Sequence, residues 1–294
     1  MAPQHVPVMT REVVALLRPE RGGFYVDCTT GLGGHTRALL AAGATRVLAL
    51  DRDPDALEAA RAALAEWGDR AELVHADYRD LPRVLADRGI AGVDGTLADL
   101  GVSSMQLEAP DRGFSFRRDE PLDMRMDRSQ GPTAAQLLRD VDEQELADLI
   151  FQYGEERFSR RIARAIVHAR RETPLVTTGQ LAQIVRRAVP RKGYQRIDPA
   201  TRTFQAVRIW VNRELDGLET FLAEATRRLL AGARLAVISF HSLEDRIVKH
   251  AFRALDSAAA LRIVTKRPLV PSEAEVEANP RARSAKLRAI ERVA

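Results

Sequence analysis

The sequence predicts an α/β chain: a mostly parallel sheet of strands joined by crossover helices, with an inserted helical domain. Three features predict it. Short apolar strands alternate with amphipathic helices through the first hundred residues, the rhythm stops after residue 110 in favour of helical patterning, and a strand-like run returns only at 235–240. Alternating strands and helices bury their apolar faces as a parallel sheet with right-handed crossovers.

Taken in order, residues 24–28 read as a first strand, followed by a glycine turn and a helix through Leu39 and Leu40. Residues 46–50 form a second strand ending at Asp51, with its helix over 55–65. A third strand, 72–75, ends before Asp77, and a fourth, 95–98, ends at Asp99. Residues 111–132 are polar, turn-rich and irregular. Apolar residues at three-to-four spacing then mark helices from 134 to 172, near 181–188 and over 203–215. The insertion is therefore placed between strands four and five. The expected division is 1–108 and 216–294 for the sheet domain and 109–215 for the inserted helical substrate-recognition domain.

With 294 residues and 45% hydrophobic content, the chain suits one large domain, or a large one carrying a smaller one. A single cysteine, Cys28, excludes a disulfide framework and a four-cysteine zinc site, and it fits a reducing, cytoplasmic compartment. The six histidines show no close metal-ligand spacing, so no metal is expected. No run approaches 18 apolar residues, and the first residues lack a basic region followed by an apolar stretch. Neither a membrane-spanning helix nor a signal peptide is expected.

Charge is divided along the chain. Residues 1–110 carry 11 basic against 16 acidic side chains, residues 150–215 carry 14 against 5, and residues 262–294 carry 8 against 4. Segregated positive charge points to a polyanionic partner, with solvated arginines on long helices as the alternative.

The turn after strand one reads Asp27-Cys28-Thr29-Thr30-Gly31-Leu32-Gly33-Gly34-His35-Thr36. Its glycines allow close backbone approach and positive φ, and the helix start offers amides to an anion. A dinucleotide fingerprint needs a third glycine three residues after the second. Here Gly34 follows Gly33 directly, and Asp27 precedes the turn where a pyrophosphate would be repelled. An acid there suits the cationic methionine end of S-adenosylmethionine, so Asp27, Gly31, Gly33, Gly34 and His35 are candidate cofactor contacts. Asp51, 18 residues after Gly33, suits a carboxylate accepting the ribose hydroxyls, whereas Asp53 reads as a helix N-terminal acid. Asp77 and Tyr78 can offer a carboxylate and an aromatic face to adenine. Ligands of such sheets sit outside the carboxyl ends of strands, where Asp27, Asp51, Asp77 and Asp99 all fall.

Strand four is followed by Asp99-Leu100-Gly101-Val102-Ser103-Ser104-Met105-Gln106. No cysteine lies beside it, which argues against the covalent route to carbon 5 of a pyrimidine. Transfer to an exocyclic nitrogen needs in-line geometry and relief of charge on the amine, and Asp99 is the first candidate to orient it. The second candidate is His241, which follows strand five in Ser239-Phe240-His241-Ser242-Leu243-Glu244-Asp245. It either takes the amine's proton or holds the start of the next helix. Candidate phosphate contacts are Arg157, Arg160, Arg161 and Arg164 at helical spacing, then Arg187, Lys192 and Arg202, and near the C-terminus Arg283 and Lys286.

Taken together the chain resembles the bacterial family of 16S ribosomal RNA cytidine-N4 methyltransferases. The resemblance rests on HVPV from His5, GLGGH from Gly31, DRDPDAL from Asp51, DLGVSS from Asp99, RGFSF from Arg112 and PLDMRMD from Pro121. It continues through YGEERFSRRIARAI from Tyr153, TRTFQAVRIWVNREL from Thr201, VISFHSLEDRIVK from Val237 and NPRARSAKLR from Asn279, in order along nearly the whole chain. It implies a class I S-adenosylmethionine-dependent methyltransferase fold, Rossmann-like, split by a helical insertion. It also implies a cytoplasmic enzyme acting on 16S ribosomal RNA, with a small-subunit particle as the context and a monomer or homodimer as the form. The implied cofactor contacts are Gly33, Gly34, His35, Asp51, Tyr78, Asp99 and Gln106. The Asn/Asp-Pro-Pro-Tyr segment of many DNA amino-methyltransferases is replaced here by Asp99-Leu100-Gly101, so that analogy does not supply a base. Methylation of DNA or transfer RNA, and a non-catalytic RNA-binding assembly role, stand as alternatives.

Overall fold

The computed structural model describes residues 7–190, 197–256 and 260–293. Seven strands form one sheet: β1 (Phe24–Asp27), β2 (Arg46–Asp51), β3 (Ala71–His75), β4 (Val93–Asp99), β5 (Leu229–Ser239), β6 (Leu261–Ile263) and β7 (Lys286–Arg292). Their order is β3-β2-β1-β4-β5-β7-β6. The first five are parallel, whereas β7 runs antiparallel to β5 and β6 antiparallel to β7.

Side chains alternate between two cores, as the two-residue period of a strand requires. Val26, Leu48, Leu50, Leu235 and Val237 face a core with Phe221 and Phe252. Tyr25, Val47, Leu97, Ala236 and Ile238 face another with Val13, Leu17 and Leu39. Coverage on both faces explains why these strands read as continuous apolar runs in sequence.

The antiparallel edge is not legible in the sequence. Residues 286–292 alternate cations with apolar residues and read as a basic surface run. In the structure they form β7, with Leu287, Ala289 and Ile290 buried. The Asp245 carboxylate accepts from Arg288 Nε at 2.7 Å and from Lys286 Nζ at 3.0 Å, which lets the charged residues join the sheet.

The chain divides into two compact units, Met1–Gly101 with Leu215–Ala294, and Val102–Glu214. The sequence places the first edge of the insertion at 109, but Val102 and Leu107 pack against the core of the second unit. That core gathers Leu146, Ile150, Ile162, Ile166, Leu181, Val185, Phe204 and Val207. They come from the helices Glu143–Gly154, Ser159–Glu172, Thr178–Ala188 and Ala200–Asn212, joined by Ala134–Asp140. The helical patterning over 134–172 resolves into three helices. Asp142 caps the second by accepting the Glu145 N–H at 2.8 Å, and Glu155, at φ 49°, ends it.

The polar stretch 111–132 is held from within this unit. Asn212 donates to the Met124 carbonyl and accepts the Met126 N–H, both at 2.7 Å, and Arg112 donates to the Met126 carbonyl at 2.9 Å. Gly113 has φ +72°, and a Cβ there would lie 2.5 Å from the Pro121 carbonyl oxygen, so no other residue fits. Among the described residues, no helix is long and apolar enough to cross a membrane.

Candidate active site

Strand order reverses between β1 and β4, which makes their carboxyl ends the place where a crevice opens in such a sheet. β1 ends at Asp27, β2 at Asp51 and β4 at Asp99. The turn after β1 runs into the helix Gly34–Ala41 with Gly31 at φ +53° and Gly33 at φ +83°. The two adjacent glycines have separate causes: a Cβ on Gly33 would meet Leu64 at 3.0 Å, and one on Gly34 would meet the Pro7 ring at 2.9 Å.

The four acids have different surroundings. Asp27 is fully buried. It accepts from the Thr36 hydroxyl at 2.7 Å and the Thr29 N–H at 3.2 Å, and burial raises its pKa against the lowering influence of His35 and these bonds. Its carboxylate braces the turn, with one of these bonds on each oxygen. Asp77 is also committed within the protein: it caps the short 3-10 turn Tyr78–Asp80 and takes a two-pronged bond from Arg79, with both distances 2.7 Å. Arg52 lies 3.5 Å away, and despite burial these cations hold Asp77 below its ordinary value. It therefore does not serve as a free carboxylate for adenine.

Asp51 and Asp99 remain at the crevice. Asp51 accepts the Gly31 N–H at 2.7 Å and the Asp53 N–H at 2.8 Å, one on each oxygen, so it ties the glycine turn to the end of β2. Burial pushes it up to about 6, with those amide bonds opposing the rise. Each oxygen keeps a second lone pair for a hydroxyl. Asp53 caps the helix Pro54–Leu64 through the Asp55 N–H, as its position before Pro54 implies.

Asp99 is fixed through its backbone, whose N–H donates to Thr29 Oγ1 at 2.6 Å. Its Oδ2 lies 3.4 Å from His35 Nε2, and its buried Oδ1 has no hydrogen-bond partner among the described residues. At 3.4 Å the two groups lie within ion-pair distance, but neither ring nitrogen of His35 meets hydrogen-bond geometry. Burial disfavours the imidazolium, but Asp99, Asp27 and Glu275 together outweigh it and raise the His35 pKa. An orphan carboxylate oxygen and an orphan imidazole, both under a glycine turn, fit a polar ligand that completes their bonding.

Tyr78 packs its ring against Phe221, centroids 4.7 Å apart, and joins the core of the sheet unit while keeping partial exposure. His241 turns toward the next helix. Its Nε2 lies 3.2 Å from Glu244 Oε1, and the same carboxylate accepts the Phe240 N–H at 2.9 Å. This sets His241 against the start of the helix Ser242–Asp256, with its Nε2 in no hydrogen-bond geometry to a described residue. Gln106 belongs to the second unit, where it closes a capping box with Ser103. Cys28 is buried and unpaired, and burial pushes its thiol well above the ordinary range, which suits packing and not nucleophilic attack. Thr29 and Thr36, which sequence reasoning does not single out, carry the hydrogen bonds that lock Asp99 and Asp27.

The basic candidates divide as well. Arg160, Arg161, Arg187 and Arg283 are exposed, with no ion pair to a described residue. Arg164 pairs with Glu143 at 3.4 Å, Arg202 lies 3.9 Å from Glu156, and Arg157 stacks over the Phe158 ring at 4.6 Å. Lys286, on β7, pairs with Asp245 at 3.0 Å. Lys192 and the HVPV motif's His5 lie outside the described residues.

The strand order with β7 reversed is that of the class I S-adenosylmethionine-dependent methyltransferases. The chain matches the MraW methylase family over residues 2–293. It is similar to the ribosomal RNA small subunit methyltransferase H of Sorangium cellulosum, at 55% identity over 290 residues, covering 99% of this chain and 91% of the relative. A protein of the same name from a Cyanothece species is 53% identical, covering 98% of this chain and 95% of the relative. One from an Anaeromyxobacter species is 52% identical over 305 residues, covering 98% of both. With the family spanning nearly every residue and such relatives along the full length, the chain belongs to the MraW methylase family.

Proposed function

We propose that this protein transfers a methyl group from S-adenosylmethionine to the exocyclic N4 of a specific cytidine in the decoding region of 16S ribosomal RNA. The observation that carries the reading is Asp99, a carboxylate at the end of β4 with one oxygen unpartnered, in a chain of this family. The cofactor, when bound, supplies a sulfonium-activated methyl group. The backbone of Gly31, Gly33 and Gly34 receives it closely, Asp51 accepts its ribose hydroxyls, and Tyr78 offers an aromatic face to adenine. Asp99 accepts hydrogens of the exocyclic amine, which frees the nitrogen lone pair and draws off positive charge as the bond forms. His35, 3.4 Å from Asp99 Oδ2, engages that oxygen and leaves Oδ1 for the amine. With Cys28 buried, no covalent base adduct is needed or available.

The exposed Arg160, Arg161 and Arg187 supply phosphate contacts on the inserted unit, which serves substrate recognition. The substrate is the RNA within a small-subunit particle, in the cytoplasm, met by a monomer or homodimer. The test is mass mapping of small-subunit RNA and particles incubated with purified protein and cofactor. One added methyl on N4 of a single cytidine is expected. An unmodified cytidine with cofactor bound would sink the reading, and methylation of transfer RNA or DNA instead would reassign the target.

A further inference from the structure

The helix Ser242–Asp256, β6 and β7 enclose a cavity of about 500 Å³ that none of the cofactor candidates lines. Its wall carries Lys249, Arg253, Arg262, Lys266 and Arg288 against one acid, Asp256. Lys249 and Arg253 are four apart and so share one helix face. The ion pairs behind the wall do not neutralise it. Glu291 is shared between the buried Arg234 at 2.7 Å and Arg262 at 2.8 Å, and Asp245 between Arg288 and Lys286, so each carboxylate leaves one cation over. Asp256 accepts the Ile263 N–H at 2.6 Å. Lys249, Arg253 and Lys266 have no ion pair with any described residue. Across the wall and its direct partners, seven cations thus meet three carboxylates.

Such an excess repels itself and persists only where solvent or a counter-charge reaches it. An acidic protein segment would bring carboxylates at irregular intervals, whereas a sugar–phosphate chain presents one charge at every step. Several flexible Lys and Arg heads on one wall suit the second. We propose that this cavity is a second RNA site, on the sheet unit, that grips the phosphodiester backbone of the substrate. The proposal rests on the RNA reading above and adds a binding surface outside the arginine-rich helices.

The experiment uses the full chain with Lys249→Gln, Arg253→Gln and Lys266→Gln combined, sparing the cations that neutralise buried carboxylates. Small-subunit RNA binding is followed by fluorescence anisotropy across a salt series, with methylation kinetics and cofactor calorimetry alongside. The salt slope of log Kd should fall by about 0.7 to 0.9 for each phosphate that the variant no longer neutralises. KM for RNA should rise several-fold, with kcat at saturating RNA and cofactor Kd unchanged. Should the triple variant fold poorly, Arg253→Gln with Lys266→Gln, both at exposed positions, carries the same test. RNA crosslinking of the wild type should also mark peptides within 249–266. Unchanged affinity and slope with no crosslink there overturns the proposal, as does loss of particle capture with RNA binding intact, which assigns the cavity to a ribosomal protein. Anisotropy does not depend on turnover, so weakened binding without any methylation would overturn the activity and keep the site.

Discussion

At the end of β2, burial holds the Asp51 carboxyl up to about 6, against the Gly31 and Asp53 amides that favour its charged form. The folded pKa lies above the unfolded value, so the folded chain binds the proton more tightly, and Asp51 detracts from stability as pH rises through that window. Ribose hydroxyls need the charged form as acceptor. Cofactor affinity is therefore expected to weaken as pH falls through about 6, and Asp51→Ala to abolish binding, both by calorimetry. An affinity that stays flat across that window would remove Asp51 from the site. Asp99→Asn should leave the fold and cofactor affinity near wild type yet slow single-turnover transfer by about 100-fold or more. His35 is linked to pH in the same direction. Its pKa is raised by Asp99, Asp27 and Glu275 acting against burial, so its stabilising contribution is complete below the unfolded value and is lost as pH rises through the folded one. The melting-temperature gap between wild type and His35→Gln should therefore be widest at low pH and narrow on the alkaline side.

Elements fix what single residues cannot. Asn212, at the end of its helix, satisfies Met124 and Met126 in a segment with no regular structure. Asn212→Ala leaves buried backbone groups unpaired and should cost about 3 kcal/mol in chemical denaturation of the chain. A change under about 0.5 kcal/mol would mean that water replaces the side chain. On the helix Ser159–Glu172, the buried stripe Ile162, Ala163, Ile166 and Val167 leaves Arg160, Arg161 and Arg164 outward. Replacing the three with Gln should weaken RNA binding and lower its salt slope; an unchanged slope would return them to ordinary solvated charge. This helix is legible in the sequence because its apolar spacing is strict. β7 is not, because its Lys and Arg suggest surface until Asp245, on the helix Ser242–Asp256, is seen to hold Lys286 and Arg288 there.

At the scale of the molecule, two compact units with separate cores predict two thermal transitions. Saturation with S-adenosylmethionine at about 100 times its Kd adds about 2.7 kcal/mol to whatever binds it. Calorimetry should show the transition of the discontinuous sheet unit, which holds the glycine turn, Asp51 and Tyr78, rising more than that of the inserted unit. Equal shifts would mean that the two unfold as one.

The sequence by itself determined the alternating strands, the turn with its adjacent glycines, the acids at the strand ends and the break into a helical insertion. Each of these follows from local periodicity, backbone freedom or spacing along the chain. Only the tertiary structure decided which acids are available. Asp27 is fully buried and braces the turn through Thr36 and Thr29, Asp77 is held by Arg79, Asp51 ties the turn to the end of β2, and Asp99 has one oxygen without a partner among the described residues. Burial and partner choice are properties of neighbours in space, and they separate four like carboxylates that spacing alone made equivalent.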